Sequence, residues 1–314
     1  MSDRVPYLGQ LTARLAEGLA RRPDSFRKRH GAYLRALQNT DGGFSGREGG
    51  SDLYYTGFAL RGLAVLDELD PEVCEHAAGF LRQSLHQQAS VVDFFSLLYS
   101  CLLIQMHSGP DVLADSPADW PQRVAALLDT FRTANGGYAK TAGGTAGSTY
   151  HTFLVTLCYQ LLNCEIPEAD AMERFVLSRR RLDGGYVEIA PMKRSGTNPT
   201  AAAVGVRQIL AGQRGETPPV DEEAVKFLTA MQNAEGGFQA TARAPLADSL
   251  STFTGLWTLD QLGALTRVNR DAALCFVRAV ELSSGGFRAG QWDDRADVEY
   301  TFYGLGALAL LPAE

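Results

Sequence analysis

The chain has 314 residues, 45% of them hydrophobic, and a formal net charge of -7. This length allows a large buried core, and the negative charge, without a cluster of basic residues between aromatics, makes nucleic acid and anionic membrane lipids poor partners. No apolar run of about 18 residues could span a bilayer, and the N-terminus is too charged for a signal peptide. With five cysteines and no C-x-x-C pair, the composition predicts a cytoplasmic protein with reduced thiols, at most peripheral at a membrane.

The predicted elements are helices throughout, and strand signals are scarce. A leading helical segment at 1–25 is followed by pairs in which an amphipathic outer helix precedes an inner helix that is apolar nearly all round. Outer helices are predicted at 26–38, 72–88, 120–133 and 168–181, and from Glu222 and Arg270. Inner helices are predicted from Asp52, over 91–105, and from Ser148, Asn198, Asp248 and Asp297. In the fourth pair, Asn198 is the predicted N-cap and Pro199 the first-turn proline.

A Gly-Gly-aromatic element separates the two helices of most pairs. Its first glycines are Gly42, Gly136, Gly184, Gly236 and Gly285, at spacings of 94, 48, 52 and 49 residues. Because 94 is nearly twice the other spacings, a unit without these glycines is expected between the first two. The pattern predicts six repeats of about 49 residues, which is typical of stacked helical hairpins.

The ends of this repeat array indicate how it is arranged. An open stack needs polar capping repeats, whereas the last inner helix is as apolar as the others. Closing six hairpins into a ring buries that face without caps. We therefore predict an all-α single domain over 1–314, a barrel of six inner helices inside six outer helices. The N-termini of the inner helices should converge at one mouth of a central cavity.

The repeats LQNTDGGF and LTAMQNAEGGF, together with D-x-x-Y-T helix starts, resemble the prenyltransferase beta subunit and squalene-hopene cyclase superfamily, the terpenoid cyclase and protein prenyltransferase toroids. The resemblance covers residues from about 30 to 310. It implies an alpha/alpha toroid whose apolar, aromatic-lined cavity holds an isoprenoid chain. No cofactor is expected for such a protein other than Mg²⁺ if the substrate is a diphosphate.

Protein farnesyl- and geranylgeranyltransferases, which these repeats resemble, hold a catalytic zinc with an Asp and a Cys two residues apart and a His on the next inner helix. The matching positions are Asp248, Leu250 and Tyr300. One ligand of three is present, so we expect zinc-independent chemistry. Basic residues that bind the diphosphate in those enzymes are loosely matched by Arg243, Lys193 and Arg194.

The cyclases of the same superfamily use an Asp-x-Asp-Asp-Thr helix start, whose middle acid protonates an alkene or epoxide. Asp297-Val298-Glu299-Tyr300-Thr301 resembles this motif, with Glu299 in place of the middle acid and the third acid lost. A carboxylic acid donates its proton effectively when its neighbours keep it protonated and a second carboxylate accepts a hydrogen bond from it. Asp297 and Asp93 are the candidates for that second group. The candidate catalytic residues are Glu299, Asp297, Asp93 and Asp248.

Structural roles explain many of the same residues. An Asp before a helix caps free N–H groups, which accounts for Asp52, Asp248 and Asp297 without catalysis. His151 suits a core histidine with one hydrogen bond as well as a ligand. Inner-helix aromatics suit either cavity lining or interhelical packing. The candidate substrate-binding residues are Tyr54, Tyr55, His151, Trp257, Tyr300 and Tyr303, with the basic residues Arg243, Lys193 and Arg194.

The leading hypothesis is an isoprenoid-binding enzyme that transfers or cyclises a prenyl chain without zinc. The alternative is a non-catalytic toroid that binds a lipid or a protein partner. A zinc-dependent protein prenyltransferase beta subunit is a weaker alternative. A toroid acting on sugars, with paired carboxylates across a cleft, remains open through Asp93, Asp297 and Glu299.

Overall fold

A computed structural model describes residues 5–85, 90–218 and 220–313, which form thirteen α-helices and two short strands. The helices are α1 (Tyr7–Ala20), α2 (Asp24–Arg35), α3 (Leu53–Val65), α4 (Pro71–Gln83), α5 (Val91–Met106), α6 (Trp120–Asp129), α7 (Thr149–Leu161), α8 (Ala169–Ser178), α9 (Thr197–Gln213), α10 (Glu222–Ala230), α11 (Ser249–Gln261), α12 (Arg270–Val280) and α13 (Val298–Leu310). Strands β1 (Phe287–Arg288) and β2 (Ala296–Asp297) pair antiparallel. Residues 1–4 of the predicted leading segment and the end of the predicted helix 72–88 lie outside the described residues.

Six helices form a closed inner ring. In the order α3, α5, α7, α9, α11 and α13, each packs against the next, and α13 packs against α3. These helices are mostly buried, whereas α2, α4, α6, α8, α10 and α12 each bury one face and lie outside the ring. The apolar character of the inner helices and the amphipathic character of the outer ones thus correspond to their positions. The chain is an all-α alpha/alpha toroid, as predicted.

The Gly-Gly-aromatic turns are the joints between neighbouring hairpins. The first glycine of each turn has a φ between +86° and +98°. A Cβ added there would lie 2.0 to 2.9 Å from a backbone oxygen of the next outer helix, so both conformation and space require glycine. The aromatic residue is fully buried, and its N–H donates to a threonine hydroxyl in the first turn of the following inner helix.

The last turn closes the ring against the first outer helix. Gly285 packs against the carbonyl of Arg29 in α2, as the other first glycines pack against their following outer helices. The N–H of Gly286 donates to His30 Nδ1 at 3.0 Å, and His30 Nε2 lies 3.2 Å from Glu281. Burial lowers the pKa of His30. These contacts specify a neutral imidazole with its proton on Nε2.

Helix α1 lies across the C-terminal ends of the inner helices. Its contacts with α5, α7, α11 and α13 are Thr12 with Tyr99, Tyr7 with Gln160 and Trp257, Arg14 with Asp260, and Gly18 with Ala309. Cavities of about 720 Å³ flank this helix on its α9 side and on its α3 and α5 side. The leading segment therefore covers the mouth opposite the N-termini of the inner helices.

The fourth inner helix starts differently from the prediction. Helix α9 begins at Thr197 with Gly196 at the N-cap, so Asn198 is not the cap. The Thr200 hydroxyl accepts the N–H of Tyr186 at 2.9 Å, as the equivalent threonines do in other repeats, and this contact places the helix start. Pro199 lies in the first turn as predicted.

Three predicted outer helices, 26–38, 120–133 and 168–181, extend three or four residues too far. The residues before each Gly-Gly turn leave the helix because they form antiparallel bridges with the aromatic residue of that turn. These bridges are Gln38 with Phe44, Arg132 with Tyr138, and Arg180 with Tyr186.

Candidate functional site

Six side chains, one from each inner helix, surround the mouth at the N-terminal end of the barrel. Each is the second residue of its helix and remains partly exposed, whereas the first residue of each helix is buried. In ring order they are Tyr54, Val92, Tyr150, Asn198, Leu250 and Glu299. Tyr150 is 38% exposed. The ring therefore combines one acid, two phenols and an amide with two apolar side chains.

Glu299 is the acidic member of this ring. Its Oε1 accepts hydrogen bonds from the hydroxyls of Tyr54, at 2.7 Å, and Tyr303, at 3.2 Å. Burial raises its pKa; the Tyr54 hydrogen bond opposes that shift, and the negative charge of Asp297 adds to it. Oε2 has no hydrogen-bond partner among the described residues. A proton on Oε2 would therefore have no protein acceptor among the described residues.

Asp297 is held as the N-cap of α13. It accepts the N–H of Tyr300 at 2.9 Å and the Nε–H of Arg47 at 2.8 Å. Arg47 also binds Asp293, whose pKa it lowers to about 2. Asp297 makes no hydrogen bond to Glu299 among the described contacts, so its influence on Glu299 is electrostatic.

Asp248 and Asp93 also have structural partners. Asp248 caps α11 by accepting the N–H of Ser251 at 2.7 Å and its hydroxyl at 2.8 Å, and burial raises the pKa of Asp248. Asp93 forms a capping box with Ser90, whose N–H and hydroxyl both donate to it at 2.9 Å. The cap at Asp248 is as expected, whereas the capping box at Asp93 was not predicted. Catalytic roles for these two residues remain predictions.

Three further candidates lie in the first turns of inner helices. The Tyr55 ring packs edge-on against Tyr54 at 5.2 Å between centroids. The Tyr300 ring lies under Arg47 at 5.6 Å, and burial raises its pKa to about 12. His151 has a buried Nδ1 without a hydrogen-bond partner, and burial lowers its pKa. All three lie near the mouth, and their role in substrate binding remains a prediction.

The remaining candidates do not lie beside Glu299: one is deeper in the barrel, and three are on exposed loops. Trp257 lies deep in the barrel, where its Nε1–H donates to Tyr7 of α1 at 2.8 Å. Lys193, Arg194 and Arg243 are exposed on the loops before α9 and α11, and no contact joins their side chains to Glu299 in the described part of the chain. Diphosphate binding by these three remains a prediction.

The sequence reasoning missed Arg61. It is the one charged residue of α3, and its guanidinium lies 3.9 Å above the ring of Phe58, inside the barrel. A single arginine within an otherwise apolar inner helix is a signal that the sequence does contain. The role of Arg47 at the mouth was also missed, because its partners Asp293 and Asp297 are some 250 positions away.

The positions compared with zinc ligands do not suit zinc. Asp248 serves as a cap, Leu250 has no donor atom, and the Tyr300 ring faces the cation of Arg47. Over the described ranges, no group of three or more His, Cys, Asp or Glu side chains could hold a metal ion. Over those same ranges, every helix is too short or too polar to cross a membrane.

A sequence model for the prenyltransferase alpha-alpha toroid domain matches residues 27–80 and 76–314. Among curated proteins, none matches this chain in sequence.

Solved structures share the fold at low identity. Protein geranylgeranyltransferase-I of Candida albicans, complexed with GGPP, is 14% identical, with a TM-score of 0.68 and 90% of each chain covered. A type II terpene cyclase from Scytonema, complexed with geranylgeranyl dihydroxybenzoate, is 14% identical, with a TM-score of 0.61, 94% of this chain and 97% of that chain covered. An alpha-1,6-mannanase variant of Salegentibacter, complexed with alpha-1,6-mannotriose, is 11% identical, with a TM-score of 0.63 and coverage of 91% and 98%.

Proposed function

The chain belongs to the prenyltransferase alpha-alpha toroid domain family, and on that premise we propose that it is an isoprenoid-binding enzyme that works without zinc. Of the two reactions left open, transfer and cyclisation, proton-initiated cyclisation of a prenyl chain fits the site better. The observation that carries this proposal is the position of Glu299, a half-buried acid with a raised pKa at the mouth of an aromatic-lined barrel.

The chemistry needs a proton donor and a chamber that tolerates a carbocation. Glu299 gives the proton on Oε2 to an alkene carbon, whose π pair forms the C–H bond and leaves a tertiary cation. A second alkene of the same chain attacks with its own pair and closes a ring. The last cation loses a proton to water, and solvent reprotonates Glu299, so the net reaction is an isomerisation.

Neighbouring residues would assist each stage. Tyr54 and Tyr303 hold the Glu299 carboxyl in one orientation through Oε1. The charge of Asp297 favours the protonated acid. Phe253 and Tyr303, whose stacked rings have centroids 5.9 Å apart, offer ring faces that stabilise a passing cation.

The structural neighbours support an isoprenoid ligand. The geranylgeranyltransferase is described with GGPP and the terpene cyclase with a geranylgeranyl substrate. The mannanase neighbour shares the fold and binds a sugar, so fold alone does not choose between the ligands. We favour an isoprenoid because aromatic side chains of the inner helices pack against one another below Glu299.

A non-catalytic binding module is the second candidate. It is favoured by one observation: no carboxylate among the described residues accepts a hydrogen bond from Glu299, although such a partner strengthens a carboxylic acid as a proton donor. In that case the barrel would hold a lipid or a protein segment without converting it.

The first prediction tests the acid. Purified protein is incubated with prenyl diphosphates, squalene and oxidosqualene, and products are identified by mass spectrometry. Glu299→Gln should keep the fold and the ligand affinity but lower turnover at least about a hundredfold, the scale of general acid catalysis.

Glu188→Gln is the matched control for this experiment. Glu188 is another carboxyl whose pKa is raised by burial, and it accepts a hydrogen bond from Ser148 at the start of α7. Its variant should retain turnover. An unchanged rate in Glu299→Gln would rule out the acid mechanism, and a lack of product from all substrates would favour the binding module.

A further inference from the structure

Arg61 is enclosed by aromatic rings at mid-depth in the barrel. Its guanidinium carbon lies within 6 Å of four ring centroids, at 3.9, 5.1, 5.7 and 5.9 Å. The rings belong to Phe58, Phe302, Phe95 and Tyr99. The Cα of Arg61 lies seven residues after that of Tyr54, about 10 Å farther along the helix. Its guanidinium reaches back one turn toward the mouth, where its Nε–H bonds the carbonyl of Gly57.

The Arg61 guanidinium uses only part of its hydrogen-bonding capacity within the described residues. Its Nε–H donates to the carbonyl of Gly57 at 2.9 Å, and within the described ranges no other hydrogen bond and no carboxylate within 4 Å is found. The arginine of another inner helix, Arg207, instead pairs with Asp221 at 2.7 Å. Arg61 is partly buried, and its ring contacts offset part of the cost of removing a cation from water. Its charge acts on Glu299 at a distance, without an ion pair.

A second donor without a partner belongs to the mouth ring. The Tyr150 hydroxyl has no hydrogen-bond partner among the described residues, although Tyr54 and Tyr303 use theirs on Glu299. Burial raises the pKa of Tyr150 to about 12, and the positive charge of Arg61 opposes this shift. The phenol therefore remains a hydrogen-bond donor at neutral pH and lies close enough to Arg61 to sense its charge.

This cation also conflicts with a carbocation in the chamber. Two positive charges in one low-dielectric space repel each other strongly unless an anion lies between them or beside one of them. Glu299 supplies one such anion at the mouth once it has given up its proton, and its charge interacts with that of Arg61. A prenyl chain with an acidic group would supply a second anion beside Arg61 itself.

We propose that Arg61 and the Tyr150 hydroxyl form an anion-binding site inside the barrel that receives the carboxylate or phosphate of an otherwise apolar ligand. The inference deepens the proposed function, on which it rests, because it restricts the isoprenoid to one that carries an anionic group. The two planar N–H edges of a guanidinium suit either a carboxylate or a phosphate.

The second prediction compares three probes of equal chain length by calorimetric titration: farnesyl diphosphate, farnesoic acid and farnesol. Wild-type protein should bind at least one anionic probe at least tenfold more tightly than farnesol. Arg61→Met should abolish that preference while farnesol affinity stays within about threefold. Arg61→Lys should keep part of the preference, because the charge remains but the planar fork does not. Which anionic probe binds more tightly distinguishes a carboxylate from a diphosphate.

Arg123→Met is the control, since Arg123 is an exposed arginine on α6 whose one ion-pair partner among the described residues is Asp119. It should leave the preference unchanged. If Arg61→Met does not fold, Tyr150→Phe is measured instead and should reduce anion affinity several-fold.

Several outcomes would contradict the anion site. One is equal wild-type affinity for farnesol and the anionic probes, and another is an unchanged preference in the Arg61→Met or Tyr150→Phe protein. A third is loss of the preference in Arg243→Met, which would place the anion at the rim of the barrel.

The anion site and the proposed function can fail separately. Arg61-dependent binding of inorganic pyrophosphate without binding of any prenyl probe would keep the site and refute the isoprenoid ligand. Arg61-dependent prenyl binding with Glu299→Gln still fully active would keep the site and refute the acid mechanism.

Discussion

Glu299 is a carboxyl whose surroundings act in opposite directions. Two phenols donate to Oε1 and favour the carboxylate, while burial and the charge of Asp297 favour the neutral acid and prevail. The neighbouring Asp297 has different partners, since it accepts hydrogen bonds from Arg47 and from the N–H of Tyr300 at the start of α13. Of these two acids, two residues apart, Glu299 is the one whose pKa is raised, as is typical of a proton donor.

The third prediction concerns the pH dependence of stability. Because the folded-state pKa of Glu299 is raised above its unfolded value, its contribution to stability is fully present below about pH 4.3 and is lost as pH rises through the folded pKa. Glu299→Gln removes this loss and retains an oxygen that accepts from Tyr54 and Tyr303.

Urea unfolding of both proteins between about pH 4 and pH 8 tests this prediction. The variant should become more stable relative to wild type as pH rises. A difference in unfolding free energy that does not change with pH would mean that the pKa of Glu299 is not raised.

Helix α1 illustrates how an element acquires a role from its packing. Its sequence has an ordinary amphipathic pattern, yet Tyr7 contacts Trp257 and Phe153 inside the barrel, and Gly18 touches the backbone of α13. The buried Arg22 donates to the carbonyl of Leu308 near the end of α13 at 2.8 Å. The helix thereby covers one mouth of the barrel and leaves Glu299 at the other.

The fourth prediction tests that packing with two glycines. A Cβ at Gly18 would lie 2.0 Å from the Ala309 carbonyl oxygen, so Gly18→Ala should destabilise the protein by about 1 to 3 kcal/mol through overpacking. In α4, a Cβ at Gly79 would meet nothing within 4 Å, so Gly79→Ala should stabilise by up to about 1 kcal/mol. Urea unfolding at neutral pH measures both changes. Equal effects of the two substitutions would show that α1 does not pack tightly on α13.

The ring as a whole is closed by the same joint that links its neighbouring hairpins. At Gly236 the turn packs against Ala272 of the next outer helix, and at Gly285 it packs against Arg29 of the first. His30 and Glu281 add a polar contact at this seam, and Arg47 adds a second one at the mouth. Closure therefore joins residues near the two ends of the chain.

The fifth prediction measures the closure. Gly285→Ala and Gly236→Ala should each destabilise the protein by about 2 to 4 kcal/mol, because each adds backbone strain at positive φ and a clash with the next helix. Gly49→Ala has the same positive φ and open space around it, so it should cost only about 1 kcal/mol. Denaturant unfolding of the three variants provides the comparison. A cost at Gly285 as small as that at Gly49 would indicate an open stack.

The repeat and its closure were predictable from the sequence. Their signals, a glycine pair about every 49 residues and helices apolar on all sides, have local physical causes. Turn conformation, helix capping and amphipathic period depend on near neighbours in the chain, and Asp52, Asp248 and Asp297 are caps as that logic requires. The errors at this level were small, such as the start of α9, where a hydrogen bond to Tyr186 outweighs the local preference of Asn198.

Only the tertiary structure decided which side chains meet. Tyr54 bonds to Glu299 across 245 positions, Arg47 reaches Asp297 across 250, and Tyr7 enters the barrel beneath Trp257. Arg61 was visible as a charge in an apolar helix, but its aromatic surroundings come from α5 and α13 as well as from its own helix. The sequence by itself determined the toroid and most of its helix starts, since these follow from local periodicity. The site depends on ring closure, which brings the first and last inner helices side by side.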